Sequence, residues 1–234
     1  MNTKVYMSLK TSKEVNIENE AEWFSKELRN QYDEATNALL TKFSHYDVYA
    51  VTITNINPER FTSINDFLDD VSNIYDQIQS HIFPNGSRHR GSDPYRPILN
   101  FYPDIPGSKG SGHVGRQNLH RSSIGPIQNL HAHGFLLLNP DSKHRFRPNT
   151  EMRFEYCQVH FTKLDQSRIK NGIEYASKTV ESSRLINIEL SQAYLFFSKQ
   201  RDAVTPEQLA NFEIRPPAAN TNAIPGQNHD RPNH

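Results

Sequence analysis

The chain has 234 residues, 35% of them hydrophobic, and its 26 basic and 26 acidic side chains give a formal net charge of zero. Whole-chain charge therefore points neither toward nor away from nucleic acid. A single cysteine, Cys157, excludes a disulfide framework and favours a reducing compartment. We expect no signal peptide, because the N-terminal residues lack an apolar core, and no membrane span, because the chain has no run of 18 apolar residues.

The first third of the chain predicts two helices with a strand between them. Good helix formers and apolar residues at helical spacing indicate an amphipathic helix over 18–43. The β-branched and aromatic residues that alternate over 47–56 are typical of a strand. Thr62-Ser63 marks the start of a second helix over 63–82, whose apolar residues form one stripe.

Residues 84–128 are rich in Gly, Ser, Pro, His and Arg, and one short apolar run at 97–102 predicts a strand among them. From 86 to 122 there are six Lys or Arg against two Asp, a net charge of +4 in a neutral chain. A basic, flexible, glycine-rich segment suits a phosphate backbone, although a solvated long hairpin explains it equally well.

The second half predicts further strands and helices. The patterns indicate strands over 128–138 and 153–164, a helix over 167–182 that Gly172 weakens, and either helix or strand over 186–197. After about residue 200 the chain becomes rich in Pro, Asn, Ala and Gln, with too little apolar surface to offset the entropy of ordering.

The order of these elements predicts an α+β fold, a central antiparallel sheet covered by helices on one face. We predict an N-terminal helical extension over 1–45, one domain over 46–200 that contains the basic loop at 84–128, and a disordered tail over 201–234.

Two histidines interrupt the apolar strand at 128–138. Side chains alternate between the faces of a strand, so His131 and His133 share one face, about 7 Å apart, while Leu130 and Ala132 point to a core. Two imidazoles on one face can share a divalent ion if a third ligand is near, but a solvent-facing position is the more common explanation of an isolated His-x-His.

A cupin-type metalloenzyme is a weak alternative at this site. Gly125, five further residues and His131-x-His133 fit the opening of a cupin metal motif. The glutamate expected after three or four intervening residues is missing, since Leu137 and Leu138 stand there.

Tyr175 and Lys178, in IEYASKTV, are three residues apart on the predicted helix and so share a face. A tyrosine with a free pKa near 10 needs a neighbouring cation, a metal or a polarised phosphorus in order to act as a nucleophile. A half-buried tyrosine beside a surface lysine is the ordinary alternative.

The strand YAVTITN, the strand LHAHGFLLL and the helix with Tyr175-Ala-Ser-Lys178, in this order over roughly 46–182, resemble the three motifs of the HUH endonucleases. Within that superfamily the chain is similar to the single-tyrosine rolling-circle replication initiators (Rep type). The resemblance implies a nuclease domain with a ferredoxin/RRM-like core.

The resemblance also implies an activity. His131 and His133 would bind Mg²⁺ or Mn²⁺, which polarises the scissile phosphate. Tyr175 would attack that phosphate and become linked to the 5′ phosphate of single-stranded DNA, and Lys178 would position the phosphate or offset its charge. Joining is the reverse reaction.

The third metal ligand is open at this stage. Asp104, which ends the strand before the basic loop, is the first choice. The other candidates are His120 in the loop, and Glu155 and His160 on the following strand. Candidate DNA-binding residues in the basic loop are Lys109, Arg116 and Arg121.

Asn171 and Thr179, one helical turn either side of Tyr175, exclude a second tyrosine there. No P-loop motif is present, so we expect a host helicase and polymerase, a single-stranded or hairpin origin DNA as substrate, and a nucleoid-associated, cytoplasmic protein of a plasmid or phage. The alternatives are a transposase or relaxase of the same chemistry, a non-catalytic nucleic-acid-binding protein, and the cupin-like metalloenzyme.

Overall fold

The computed structural model describes residues 12–57, 60–83, 94–105, 127–142, 148, 151–183 and 188–214. In chain order the elements are α1 (Ser12–Lys42), β1 (Asp47–Asn55), β2 (Phe61–Thr62), α2 (Ile64–Ile82), β3 (Ile98–Asp104), β4 (Ile127–Gln128), β5 (His131–Leu138), β6 (Glu151–Arg153), β7 (Cys157–Lys163), α3 (Ile169–Ala176), α4 (Lys178–Ser183), β8 (Ala193–Phe197), β9 (Gln200–Val204) and α5 (Pro206–Ala210). Short 3-10 helices lie at Gln166–Arg168 and Ile188–Ser191.

Seven of the strands form one open sheet in the order β6-β7-β1-β5-β3-β8-β9, and every neighbouring pair is antiparallel. The β5 strand is central and pairs with β1 on one side and β3 on the other. The predicted α+β class with a central antiparallel sheet is therefore confirmed. The Rep type and the ferredoxin/RRM-like core stay predictions.

Helices cover both faces of the sheet, so the prediction of one covered face is wrong. The α2 residues Phe67 and Val71 pack on the face that carries Ala132 and Leu136. Helices α1, α3, α4 and α5 pack on the other face, which carries Phe135 and Leu137. The reason lies in β5 itself, where consecutive apolar residues supply a buried side chain to each face in turn.

The α1 helix confirms the predicted helix over 18–43 and is part of the core. Tyr32, Leu39 and Leu40 are buried against the sheet. Arg29 donates to Glu181 of α4 and to the carbonyl oxygen of Glu174 of α3, each over 2.8 Å. The helix therefore joins the N-terminal region to the helices that follow β7.

The α2 helix confirms the predicted helix over 63–82. Ser63 caps its N-terminus by accepting a hydrogen bond from the Asp66 amide, and the Asp66 side chain accepts one from the Ser63 amide. This reciprocal pair satisfies amides that the first turn of a helix leaves without a carbonyl partner.

Two predicted elements are each divided in the structure. The strand predicted over 153–164 is a hairpin of β6 and β7, closed where the Phe154 amide donates to the Cys157 carbonyl over 2.8 Å. The helix predicted over 167–182 is divided at Ser177 into α3 and α4. The segment 186–197, left open between helix and strand, contains a 3-10 helix and then β8.

The prediction of disorder from residue 201 is wrong for 201–214. Here β9 extends the sheet edge and α5 packs on it, with Val204, Leu209 and Phe212 buried. The prediction was based on the polar composition of residues further along, and 215–234 lie outside the described residues.

The basic loop predicted over 84–128 is described only at 94–105 and 127–128, where β3 confirms the strand predicted over 97–102. Among the helices that the structure describes, none has the length and apolar character to cross a membrane.

Candidate metal centre

The register of β3 and β5 brings Asp104 to the two histidines. Asp104 is directly opposite His131, and Tyr102 is opposite His133. Side chains of directly opposed residues lie on the same face of an antiparallel pair. Ala132 is fully buried on the other face, as predicted, so both imidazoles and the carboxylate share one face of the sheet.

The three side chains meet at one carboxylate oxygen. Asp104 Oδ2 lies 3.2 Å from His131 Nε2 and 3.3 Å from His133 Nε2. These separations are near the ~3 Å expected between two ligands of one ion with bonds of about 2.1 Å. The buried Asp104-His131-His133 group could hold a metal ion.

Hydrogen bonds at the far side of each ring aim the Nε2 atoms at Asp104. His131 Nδ1 lies 3.0 Å from the carbonyl oxygen of Asn129, which only accepts, so Nδ1 carries the proton. His133 Nδ1 lies 3.1 Å from the hydroxyl of Thr52. Partners of this kind fix the orientation of metal-binding imidazoles.

Burial favours the neutral form of His133. The ring is 6% exposed, and desolvation lowers the pKa of His133 below its ordinary value. Its Nε2 atom is buried and has no hydrogen-bond partner of good geometry among the described residues. In the tautomer with the proton on Nδ1, Nε2 presents a lone pair beside a carboxylate oxygen, an arrangement that fits a cation held by both, so this donor set suits a divalent ion.

The carboxylate is charged. Burial raises the pKa of Asp104, but interactions with His131, His133 and Lys178 outweigh it and hold that pKa far below its ordinary value. Oδ1 accepts hydrogen bonds from the Thr179 hydroxyl over 2.6 Å and from the Ile105 amide over 2.8 Å. Oδ2 is therefore the oxygen directed to the histidines.

Tyr175 lies at the open side of this group. Its side chain is 43% exposed, and its ring centroid is 4.6 Å from that of His133. Lys178 Nζ lies 4.1 Å from the Tyr175 ring centroid and 2.5 Å from Asp104 Oδ2. One ammonium group thus contacts both the tyrosine and the carboxylate.

Tyr175 and Lys178 remain neighbours although they belong to two helices. Ser177 between them has φ −84° and ψ −1°, close enough to helical values to keep the spacing of three residues on one side. Its amide donates to the Ile173 carbonyl over 3.1 Å, and its hydroxyl donates to Asp33 of α1. The predicted adjacency therefore holds without the predicted continuous helix.

Gly134 lets β3 and β5 approach closely beside the histidines. A Cβ atom at this position would lie 2.1 Å from the Asn100 carbonyl oxygen and 2.6 Å from Phe101 Cα. Only glycine fits between these backbones, which explains the residue that follows His-Ala-His.

The other predicted site residues do not join the group. Glu155 is exposed in the β6–β7 turn, and His160 is exposed on β7 with Nε2 3.1 Å from the Gln158 side chain. The remaining predictions, His120, Lys109, Arg116 and Arg121, lie outside the described residues.

Sequence reasoning missed Thr52, Asn129 and Thr179, the three residues whose polar groups orient the histidines and Asp104. Thr52 could have been predicted from the sequence. It lies in the YAVTITN motif, where the alternation of side chains separates it, with Val48, Ala50 and Thr54, from Tyr49, Val51 and Ile53. Comparisons of the chain with models of known families, with curated proteins and with solved structures found no match.

Proposed function

We propose that the chain nicks and joins single-stranded DNA with the help of a divalent metal, through a 5′-phosphotyrosine intermediate, and so initiates rolling-circle replication of a plasmid or phage. The observation that carries the proposal is the position of Tyr175. An exposed tyrosine stands against a buried Asp-His-His group that could hold a metal ion, with a lysine between them.

Asp104, His131 and His133 would hold the ion. Their two nitrogens and one oxygen suit Mn²⁺ as well as Mg²⁺, with positions left for a phosphate oxygen and water. A bound ion supplies Lewis-acid polarisation of the phosphate and offsets its charge. The Asn129 carbonyl and the Thr52 hydroxyl keep both imidazoles oriented before substrate arrives.

Tyr175 would act as the nucleophile. Its hydroxyl oxygen forms a bond to phosphorus as the bond from phosphorus to the 3′ oxygen breaks. The hydroxyl proton passes to water, and the departing 3′ oxygen takes up a proton to become a 3′ hydroxyl. The Lys178 ammonium offsets negative charge on the tyrosine oxygen or on the phosphate. Joining reverses these steps when a DNA 3′ hydroxyl attacks the phosphotyrosine.

A polar strip on the sheet supports a nucleic-acid substrate at this face. Thr52 and Thr54 on β1 lie directly beside the two histidines, and Gln158 and His160 on β7 lie beside those threonines. None of the four side chains is fully buried. The strip extends across two strand spacings, about 10 Å, which offers hydroxyl, amide and imidazole groups to a sugar-phosphate chain.

The buried group favours catalysis over binding alone. Two imidazoles and a carboxylate gathered on one face of the sheet suit a bound cation, and nucleic-acid binding by itself needs none of them. A transposase or relaxase of the same chemistry would use the same residues. The cupin-like alternative gains no support, since the sheet is open and has helices on both faces.

The test is whether the protein forms a covalent adduct with DNA. The full chain is mixed with Mn²⁺ and a labelled pool of single-stranded oligonucleotides that includes hairpins, then separated on a denaturing gel. We expect a labelled band at the protein's size that EDTA and Tyr175→Phe abolish. Tyr156→Phe is the matched control, because Tyr156 is 47% exposed but lies in the β6–β7 turn.

Two results would count against the proposal. An adduct that persists in Tyr175→Phe would exclude Tyr175 as the nucleophile. The absence of any adduct over a broad pool, with hairpins from DNA flanking the coding sequence included, would favour a protein that binds nucleic acid without cutting it.

A further inference from the structure

Lys178 occupies the position of a counter-cation at the candidate metal centre. Its Nζ atom is 2.5 Å from Asp104 Oδ2, the same oxygen that both histidine Nε2 atoms approach. The Asp104 side chain is 1% exposed and the Lys178 side chain 13%, so this ion pair is shielded from water. A buried carboxylate is costly without a positive partner, and Lys178 supplies one.

A lysine ammonium and a divalent ion cannot share this oxygen without strong repulsion. Oδ1 is already taken by Thr179 and the Ile105 amide, so the carboxylate has only Oδ2 to offer. With neutral imidazoles, the group carries one negative charge, which Lys178 balances. An added ion of charge +2 would stand a few ångströms from the ammonium, beside an Asp104 side chain that is only 1% exposed, where solvent screens the repulsion little.

From these contacts we propose that Lys178 and the divalent ion are alternative partners of Asp104 Oδ2, so that Lys178 leaves this oxygen when the ion binds. The inference rests on the metal centre of the proposed nicking enzyme. After it leaves Asp104, the ammonium can keep its contact with Tyr175, because Nζ lies 4.1 Å from the centroid of that ring. Metal binding therefore transfers positive charge from the carboxylate toward the tyrosine, and couples loading of the centre to activation of its nucleophile.

The exchange predicts that Lys178 weakens metal binding. Removal of the ammonium by Lys178→Met should tighten Mn²⁺ binding to the full chain about tenfold, within the usual range for two coupled ligands. Electron paramagnetic resonance of free Mn²⁺ measures this affinity without DNA. Lys178→Arg, which keeps the charge, should not show the increase.

A matched control tests whether the effect is local. Lys163 also forms an ion pair, with Asp47 over 2.9 Å, but Asp47 lies five residues along β1 from Thr52, roughly 17 Å away. Lys163→Met removes one ammonium group from the chain without touching the centre, so its Mn²⁺ affinity should equal that of the natural chain.

The natural chain gives a second readout, which does not depend on the Mn²⁺ affinity of any variant. In protein labelled with ¹⁵N lysine, the Lys178 ammonium resonance, assigned by its loss in Lys178→Arg, should shift when Mg²⁺ is added. The Lys163 resonance should not move. A Lys178 resonance that stays unchanged while Mg²⁺ raises the melting temperature would overturn the exchange.

The outcomes separate this inference from the proposed function. Equal or weaker Mn²⁺ binding in Lys178→Met overturns the exchange alone, because adduct formation through Tyr175 is measured separately. No Mn²⁺ binding to either protein overturns the exchange and the metal centre together.

Discussion

Thr179 donates its hydroxyl hydrogen to Asp104 Oδ1 over 2.6 Å, and this bond joins the second of the two short helices to the β3 strand. Both residues are fully buried. The bond turns the carboxylate so that its other oxygen faces the histidines. A side chain just after Tyr175-x-x-Lys178 thus sets the orientation of a group 75 residues earlier in the chain.

Loss of this hydroxyl should destabilise the fold. We expect Thr179→Val to lower the free energy of unfolding by about 1–3 kcal/mol, because one buried hydrogen bond to a charged oxygen is lost. Urea denaturation measures the change. Thr162→Val, at an exposed position on β7, should stay within about 0.5 kcal/mol of the natural chain. Equal effects at both positions would show that the bond to Asp104 contributes nothing.

The candidate metal centre should bind Mn²⁺ through three side chains. At a concentration 100 times the dissociation constant, binding adds about 2.7 kcal/mol, which raises the melting temperature by roughly 5–10 °C for a chain of this size. Asp104→Asn, His131→Ala and His133→Ala should each remove that rise. His160→Ala should keep it, since His160 is exposed and two strands away. A full rise in any of the first three would exclude that residue as a ligand.

Gly134→Ala should be among the most damaging single substitutions in the sheet. The added methyl group meets backbone atoms of Asn100 and Phe101, which cannot rotate away, so we expect a loss of at least about 3 kcal/mol in urea denaturation. Gly172→Ala is the control. Its new Cβ would lie 3.3 Å from a Phe135 ring atom, and alanine favours the helix, so its effect should stay within about 1 kcal/mol. Comparable losses would contradict the close approach of β3 and β5.

The cap of α2 should make stability depend on pH. A hydrogen bond from the Ser63 side chain, and then one from its amide, lower the pKa of Asp66 below its ordinary value. A carboxyl group with a depressed pKa stabilises the fold above the pKa of the unfolded chain, about 3.9, and loses this effect as the pH falls through the folded value.

The natural chain should therefore exceed Asp66→Asn in unfolding free energy near pH 6, and the difference should shrink below about pH 4. Urea denaturation from pH 6 to pH 3 measures it. In a Ser63→Ala background the pH-dependent part should be smaller, because the hydroxyl that lowers the pKa is gone. A difference that grows as the pH falls would contradict this sign.

Local patterns predicted most of the central sheet and α2. The apolar stripe and the Ser63 cap defined that helix, and alternation defined the face shared by His131 and His133. The divisions at Phe154 and Ser177 were missed, because neither place has the glycine or proline that usually signals a break. The β9 strand and α5 were missed because few apolar residues, chiefly Val204, Leu209 and Phe212, attach them to the core.

The candidate site was predictable only in part. Asp104 was the first of several choices, since nothing local in the sequence fixes the register that sets it opposite His131 across the 26 intervening residues. The ion pair between Lys178 and Asp104 depends on the way α4 packs against β3. Such contacts between distant segments are decided by the whole fold, so a motif reveals the participants but not their hydrogen bonds.

The β5 strand is bonded along both edges, to β1 and to β3, whereas Tyr175 stands on an eight-residue helix at the surface. Amide hydrogens of β5 can exchange with solvent deuterium only when the sheet itself comes apart, but the short helix needs to lose few contacts to open. We therefore expect the amides of the two histidines of the candidate metal centre to exchange slowly and the amide of Tyr175 to exchange faster. In the proposed reaction, the phosphate would be bound beside a strand that opens rarely and attacked by a tyrosine from a helix that opens more readily.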